Sequence, residues 1–289
     1  MQTRSLHANG LDFAIDIAGQ GDTVALLLHG FPESRASWTA QLGALAALGW
    51  TVAAPDMRGY GDSSRPQGRD AYRIGRLVED VGGLFEALGA RRRILIGHDW
   101  GGVIAWQAAL QGTPLDGLVI LNAPHPRLFK RALKGWEQRL KSWYVLFFLL
   151  PRLPEWQLTR GDGRGLVSVL QRQSPNFPPD LLETLRRNIT APGAATAMLA
   201  YYRANALDLP SPGRAAPPLP VPTLVIWGEE DVALSTSLTD GLNEVVADVT
   251  VRRLPGVSHW VQQDAPAEVN EIIAEWARSR GLAGSASRG

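Results

Sequence analysis

The sequence predicts an α/β protein: a mostly parallel β-sheet flanked by helices, interrupted by an inserted helical segment. Three observations carry this reading. Short apolar runs alternate with amphipathic helical patterns up to Asn122, the alternation stops from Pro124 to about Ala216, and it resumes at Thr223. Buried strands alternating with helices imply parallel strands joined by right-handed crossovers. The chain has 289 residues, 45% hydrophobic and 20% charged, which is enough for one large core carrying an insert.

Leu11, Phe13, Ile15 and Ile17 repeat every second residue, the period of a half-buried strand, and Asn9-Gly10 supplies turn chemistry before it. Thr23 to Leu28 is a continuous apolar run, expected of a strand covered on both faces. A helix is expected around Trp38 to Leu48, closed by Gly49, and then a short strand over Thr51 to Ala54. Ile74, Leu77, Val81, Leu84 and Leu88 keep helical spacing up to Gly89. Arg93 to Ile96 reads as a strand, Gly101 to Leu110 as a helix and Gly117 to Leu121 as a strand. The insert is aromatic and helix-like, and a proline-rich connector over 210–222 closes it. Thr223 to Trp227 is a strand, Leu238 to Val246 a helix and Val249 to Arg253 a strand. Val269, Ile272, Ile273 and Trp276 define a last helix, and the tail from Gly281 is expected to fray. The division is a core of 1–124 and 218–289 with an insert of 125–217.

Composition excludes several classes. Lys plus Arg is 29 and Asp plus Glu is 28, so a net charge of +1 gives no overall field that would select nucleic acid or an anionic membrane as partner. Cysteine is absent, which removes disulfides, thiolate metal sites and a Cys nucleophile. No cofactor or metal is expected. Met1 to His7 lacks an apolar run behind its charge, and Trp143 to Leu150 is far shorter than the ~20 residues of a membrane span. A soluble, cytoplasmic chain is expected, either monomer or homodimer. Arg91, Arg92 and Arg93 read as a solvated surface run.

The sharpest chemical signal is Gly97-His98-Asp99-Trp100-Gly101-Gly102, directly after a strand and before a helix. Flanking glycines permit a sharp turn that lifts the central side chain above the sheet edge. That residue is Asp99. A hydroxyl there would need a base before it could attack, whereas a carboxylate is already ionised at neutral pH. Attack on a strained or activated alkyl carbon would leave an alkyl ester on Asp99, which water can cleave with the help of a general base. The base candidate is His259 in Gly256-Val257-Ser258-His259-Trp260, and its orienting acid is one of Glu229, Glu230 and Asp231. Nucleophile, acid, histidine is the chain order expected for such a sheet. His29, His98 and His125 read as structural.

His29-Gly30-Phe31-Pro32-Glu33, Asp56 to Ser63, the Asp99 turn, Asn122-Ala123-Pro124-His125-Pro126, Trp227-Gly228 with Asp231, and Gly256 through His259 together resemble the α/β-hydrolase superfamily over nearly the whole chain. Within it, Asp99-Trp100 resembles the epoxide hydrolase family. The resemblance implies the α/β-hydrolase fold with a helical cap, Asp231 as the triad acid, and two cap tyrosines that hold the epoxide oxygen. Ser142-Trp143-Tyr144 is similar to the first tyrosine segment and Tyr201-Tyr202-Arg203 to the second, which puts Tyr144 and Tyr202 in those roles ahead of Tyr201. Opening an epoxide leaves an alkoxide to which a phenol can donate. The oxyanion hole would use the backbone N–H groups of Phe31 and Trp100. Phe31-Pro32 is a candidate cis bond holding that loop, with trans the default expectation for such a bond. Trp143, Phe147, Phe148, Trp156 and Phe177 suggest an apolar substrate body.

Two other functions share these residues. A haloalkane-type dehalogenase would use the same Asp99, with Trp100 as one halide donor, but Phe31 stands where that family places a second donor. A non-catalytic scaffold that binds small molecules would ordinarily lack one of the three triad groups, all present here. A serine esterase is disfavoured because the chain contains no Gly-x-Ser-x-Gly.

Overall fold

The computed structural model describes residues 1–206, 209–213 and 216–284. Strands β1 (Gln2–Ala8) and β2 (Leu11–Ala18) form a hairpin, followed by β3 (Thr23–Leu28), helix α1 (Thr39–Ala46), β4 (Thr51–Pro55), α2 (Ile74–Ala87), β5 (Arg92–His98), α3 (Trp100–Leu110) and β6 (Gly117–Leu121). Seven helices come next: α4 (Pro126–Ala132), α5 (Trp136–Lys141), α6 (Trp143–Phe148), α7 (Leu153–Thr159), α8 (Arg164–Gln173), α9 (Pro179–Thr190) and α10 (Ala194–Asn205). The chain then returns through β7 (Thr223–Gly228), β8 (Val249–Leu254), α11 (Val261–Asp264) and α12 (Pro266–Ser279).

One eight-stranded sheet runs in the order β1-β2-β4-β3-β5-β6-β7-β8. The β1–β2 and β2–β4 pairs are antiparallel, and every pair from β4 through β8 is parallel. The unbroken apolar run of β3 follows from this burial. Val24, Leu26 and Leu28 join the core beneath α2 and α3, while Ala25 and Leu27 join the opposite core with Leu42 and Leu45 of α1 and Ile273 and Trp276 of α12. Each such fully buried leucine contributes about 1.5–3 kcal/mol.

Several expectations change. The edge strand β1 escaped sequence reading because its first four residues are all exposed and carry no apolar alternation. The helix expected over Leu238 to Val246 is two 3-10 turns, Thr236–Thr239 and Leu242–Glu244, parted by Gly241 at φ 78°. Phe31-Pro32 is cis; the trans preference of an X-Pro bond is only about 0.5–1 kcal/mol and yields to surrounding contacts. Gly281 to Gly284 does not fray: Leu282 is buried, its carbonyl accepts from the Trp50 indole at 2.8 Å, and the Gly284 amide donates to Leu48 at 2.8 Å. Residues 285–289 of that tail, and 214–215 of the connector, lie outside the described residues.

Candidate active site

Five neighbouring strands end on the same edge of the sheet, and each end delivers one part of the site. His29 to Phe31 follows β3, Asp99 follows β5, Asn122 follows β6, Asp231 follows β7 and His259 follows β8. The strand order reverses direction at β3, flanked by β4 and β5. Crevices beyond the carboxyl ends of strands at such a reversal are the usual ligand sites of open α/β sheets.

Asp99 sits at φ 49°, ψ −119°, a conformation that costs a side-chain-bearing residue on the order of 1–3 kcal/mol. The neighbouring glycines let the turn close. A Cβ on Gly97 would lie 2.3 Å from the carbonyl oxygen of Gly101, and one on Gly101 would lie 2.1 Å from that of Leu28. The Phe31 N–H donates to Asp99 Oδ1 at 2.8 Å. Trp100 opens α3, where first-turn amides have no partner within the helix.

His259 links the two carboxylates. Its Nδ1 donates to Asp231 Oδ2 at 2.6 Å, and its Nε2 lies 3.6 Å from Asp99 Oδ2. Asp231 is buried, whereas Glu229 and Glu230 are exposed, which selects the acid that faces the histidine. Its remaining lone pairs are filled: the Asn122 amide donates to Oδ2 at 2.7 Å, and the N–H groups of Ala233 and Leu234 donate to Oδ1 at 2.7 and 2.9 Å. Burial works against the charge on Asp231, but the His259 cation and these hydrogen bonds hold its pKa below the ordinary value. Asp99 behaves likewise, with burial opposed by His259, His98 and the Phe31 amide. Burial lowers the pKa of His259, yet Asp231 and Asp99 outweigh it and raise it to about 10. The resting site is therefore a cation between two carboxylates.

Two cavities meet at this point. One, of about 270 Å³, is lined by Asp99, Trp100, Tyr144, Tyr202, Val103 and Phe129 among others. The second, of about 380 Å³, is lined by Asp99, His259, Tyr144, Tyr202, Phe147 and Phe148 among others. Asp99 and the two phenols border both. The Tyr144 and Tyr202 rings are 6.3 Å apart, and the Trp100 indole stands edge-on to Tyr202 at 5.0 Å. Burial first, and then the Asp99 charge, push both phenol pKa values up, so the two rings stay protonated donors. Tyr201 points elsewhere: its hydroxyl donates to the Arg58 carbonyl at 2.8 Å, and its ring packs on Tyr60 and Tyr72. Of the insert aromatics, Trp143, Phe147 and Phe148 line the second cavity. Phe177 instead packs on Trp260, and Trp156 faces outward with 56% of its surface exposed.

The alpha/beta hydrolase fold family matches residues 24–266. The AB hydrolase superfamily protein YfhM of Bacillus subtilis is 35% identical over 280 residues, 95% of this chain and 97% of that protein. Epoxide hydrolase 3 of Xenopus tropicalis is 36% identical over 261 residues, 87% of this chain and 70% of that one. The crystal structure of a variant epoxide hydrolase from Bacillus megaterium superimposes with a TM-score of 0.88 at 28% identity, covering 95% of this chain and 100% of that one. This chain belongs to the epoxide hydrolase family of the α/β-hydrolase fold.

In this member of the family, sequence reasoning missed two contributors near the site. Asn122 was legible only as part of a motif, yet its side chain ties β6 to β7, donating to Asp231 while its Oδ1 accepts from the Gly228 amide at 2.9 Å. Glu33 is fully buried and accepts from His98 Nδ1 at 2.8 Å and from Gln263 at 2.9 Å. The other His98 nitrogen faces the His259 carbonyl at 2.9 Å, so both ring nitrogens are occupied by hydrogen-bond partners. Burial raises the Glu33 carboxyl, but the His98 charge and hydrogen bond bring it below its ordinary value. A buried acid four residues beyond His29 and a histidine directly before the nucleophile were the available signals. His29 closes the other side, its Nδ1 at 2.9 Å from the Gly30 carbonyl and its Nε2 accepting from the Met57 amide at 3.0 Å. His125 caps α4, accepting from the Arg127 amide at 3.3 Å.

Glu33→Gln should cost about 3 kcal/mol of stability, because it leaves the His98 ring buried opposite a neutral amide. Urea unfolding at neutral pH measures this. A loss below about 1 kcal/mol would mean that the Glu33–His98 contact contributes little to holding the fold.

Proposed function

We propose that this chain hydrolyses an apolar epoxide to a vicinal diol through an alkyl ester on Asp99. The single observation that carries the reading is the place of Asp99 at the junction of two cavities, with the Tyr144 and Tyr202 phenols bordering the same junction and the His259–Asp231 pair beside it. Asp99 attacks a ring carbon and the C–O bond breaks toward the oxygen. Tyr144 and Tyr202 donate to the oxygen as charge develops there. The Asp99 ester is neutral, so His259 loses one of the two anions that held its proton, and that proton passes by way of the phenols to the alkoxide. The neutral ring then takes a proton from water as it attacks the Asp99 carboxyl carbon, and the N–H groups of Phe31 and Trp100 hold the tetrahedral oxyanion. Collapse releases the diol and restores the carboxylate and the imidazolium. In this reading 1–124 and 218–289 form the catalytic core and 125–217 the cap. A single turnover in ¹⁸O-labelled water tests it: label should enter the Asp99 carboxylate, and its absence there excludes the covalent route.

Tyr144→Phe and Tyr202→Phe should each lower kcat/KM by roughly 10²–10³-fold, the usual loss for one preorganised donor to a developing oxyanion. Tyr201→Phe should leave kcat/KM nearly unchanged and cost about 1 kcal/mol of stability through the lost bond to Arg58. Equal kinetic losses at Tyr201 and Tyr202 would remove the assignment.

The pH profiles should separate the two steps. The free enzyme needs ionised Asp99 and protonated His259, so kcat/KM holds across neutral pH and falls as pH rises through about 10. The ester form has one anion fewer beside His259, so kcat gains an acidic limb that kcat/KM lacks. A kcat/KM that rises with pH through neutrality would place a neutral His259 in the resting site instead.

A further inference from the structure

The two phenols stand on helices of unequal anchorage. Tyr202 belongs to α10, where Met198, Leu199 and Tyr201 are fully buried. The Asn205 side chain fastens the end of that helix, accepting from the Ile74 amide at 2.8 Å and donating to the Tyr72 carbonyl at 2.9 Å. Tyr144 belongs to α6, which is six residues long and has no fully buried residue. Helices shorter than about 12 residues are marginal in water unless an apolar face is packed. Tyr144, Val145 and Phe148 lean on the edge of the core, while Trp143 and Leu146 face outward. Packing alone therefore gives the Tyr144 hydroxyl a loose seat relative to that of Tyr202.

Arg203, the residue after Tyr202, ties the two helices together. Its Nε donates to the Phe148 carbonyl at 3.1 Å and its Nη2 to the Leu150 carbonyl at 2.6 Å, where α6 ends and backbone acceptors lack helical partners. The same guanidinium grips Glu155 of α7 in a bidentate pair, Nη1 to Oε1 at 2.5 Å and Nη2 to Oε2 at 2.9 Å. The two side chains are 18% and 20% exposed, so water screens them less than an ordinary surface pair. Only the planar arginine fork offers donors in so many fixed directions. Phe148 carries this backbone hold into the site. Its ring lies 4.9 Å from that of Tyr202, 5.7 Å from that of Tyr144 and 5.3 Å from that of Phe31, whose N–H meets Asp99.

We propose that Arg203 is a positioning residue for ring opening: with Glu155 it hangs α6 from α10 and sets the separation at which Tyr144 and Tyr202 both donate to one oxygen. This rests on the hydrolytic reading of Asp99 and the two phenols. A guanidinium that merely braced the cap would affect stability and leave the work of each phenol as it was.

A double-mutant cycle on the full chain separates the two roles, with whichever of a set of aryl and alkyl epoxides the wild type turns over fastest. Arg203→Met keeps the apolar stem and removes the fork; it should lower kcat/KM about 10²-fold, the scale of a misplacement of roughly 1 Å. In that background Tyr144→Phe should cost less than about tenfold, against roughly 10²–10³-fold in the wild type, because a displaced phenol has little left to lose. Rapid-quench single turnovers give a second reading: formation of the Asp99 ester should slow while its hydrolysis stays within about twofold, since the phenols act as the ring opens. Glu155→Gln keeps both carbonyl bonds and is the milder variant if Arg203→Met folds poorly; it should shift the same ratio in the same direction. An undiminished cost of Tyr144→Phe in both backgrounds overturns the proposal, as does an equal fall of the two half-reactions. If Tyr144→Phe costs nothing in the wild type, the hydrolytic reading of that phenol fails and the clamp falls with it. A full wild-type cost that persists in Arg203→Met defeats the clamp alone.

Discussion

Asp99→Asn should abolish turnover, lowering kcat by roughly 10⁴-fold or more, the scale on which removal of a nucleophile or its partner acts. The fold should survive. The amide oxygen can still accept the Phe31 N–H, and Asn tolerates the positive φ of this position better than most residues. What disappears is the anion, and with it both the attack on carbon and part of the field that keeps His259 protonated. Steady-state rates and intact-protein mass after exposure to epoxide check this: the variant should gain no covalent adduct. Residual turnover within about tenfold of wild type would mean that water attacks the ring directly and that Asp99 only orients it.

His259→Gln should separate the two half-reactions. Loss of a general base removes about 10²–10⁴-fold from the step it serves, and that step is ester hydrolysis. The variant should therefore accumulate a stable adduct whose mass equals that of the epoxide, with disappearance of epoxide outrunning release of diol. Alkylation should slow as well, since Gln supplies no imidazolium proton to the opened ring. Diol release at the wild-type rate without any adduct would remove His259 from the mechanism.

Asp99 and His259 were legible as candidates because each sits in a short motif after a strand, where the backbone leaves few places for a side chain to go. The acid was less so. Glu229, Glu230 and Asp231 follow β7 in succession, and only the fold shows that the first two are exposed while Asp231 is buried against His259. Tyr201 and Tyr202 pose the same problem on α10, where neighbours lie about 100° apart around the helix. Tertiary contact decides: one phenol is anchored on Arg58 and the other borders both cavities. The Glu33–His98 pair was hard to read because its members are 65 residues apart and only the fold brings them together.

The helical insert leaves the sheet after β6 and returns at β7, and those strands are direct neighbours, with Leu118 opposite Thr223. Because the two strands are parallel, the insert departs from the carboxyl end of β6 at Leu121 and re-enters at the amino end of β7 at Thr223, three positions back in the register. Such an attachment leaves the sequence from α4 to α10 free to vary while the sheet below keeps its register. The boundary of any graft is set by Asn122, which lies at the foot of one stalk and steadies Asp231. Chimaeras joined beyond it should keep the Asp231–His259 geometry intact, whereas junctions that replace it would remove the amide that steadies Asp231.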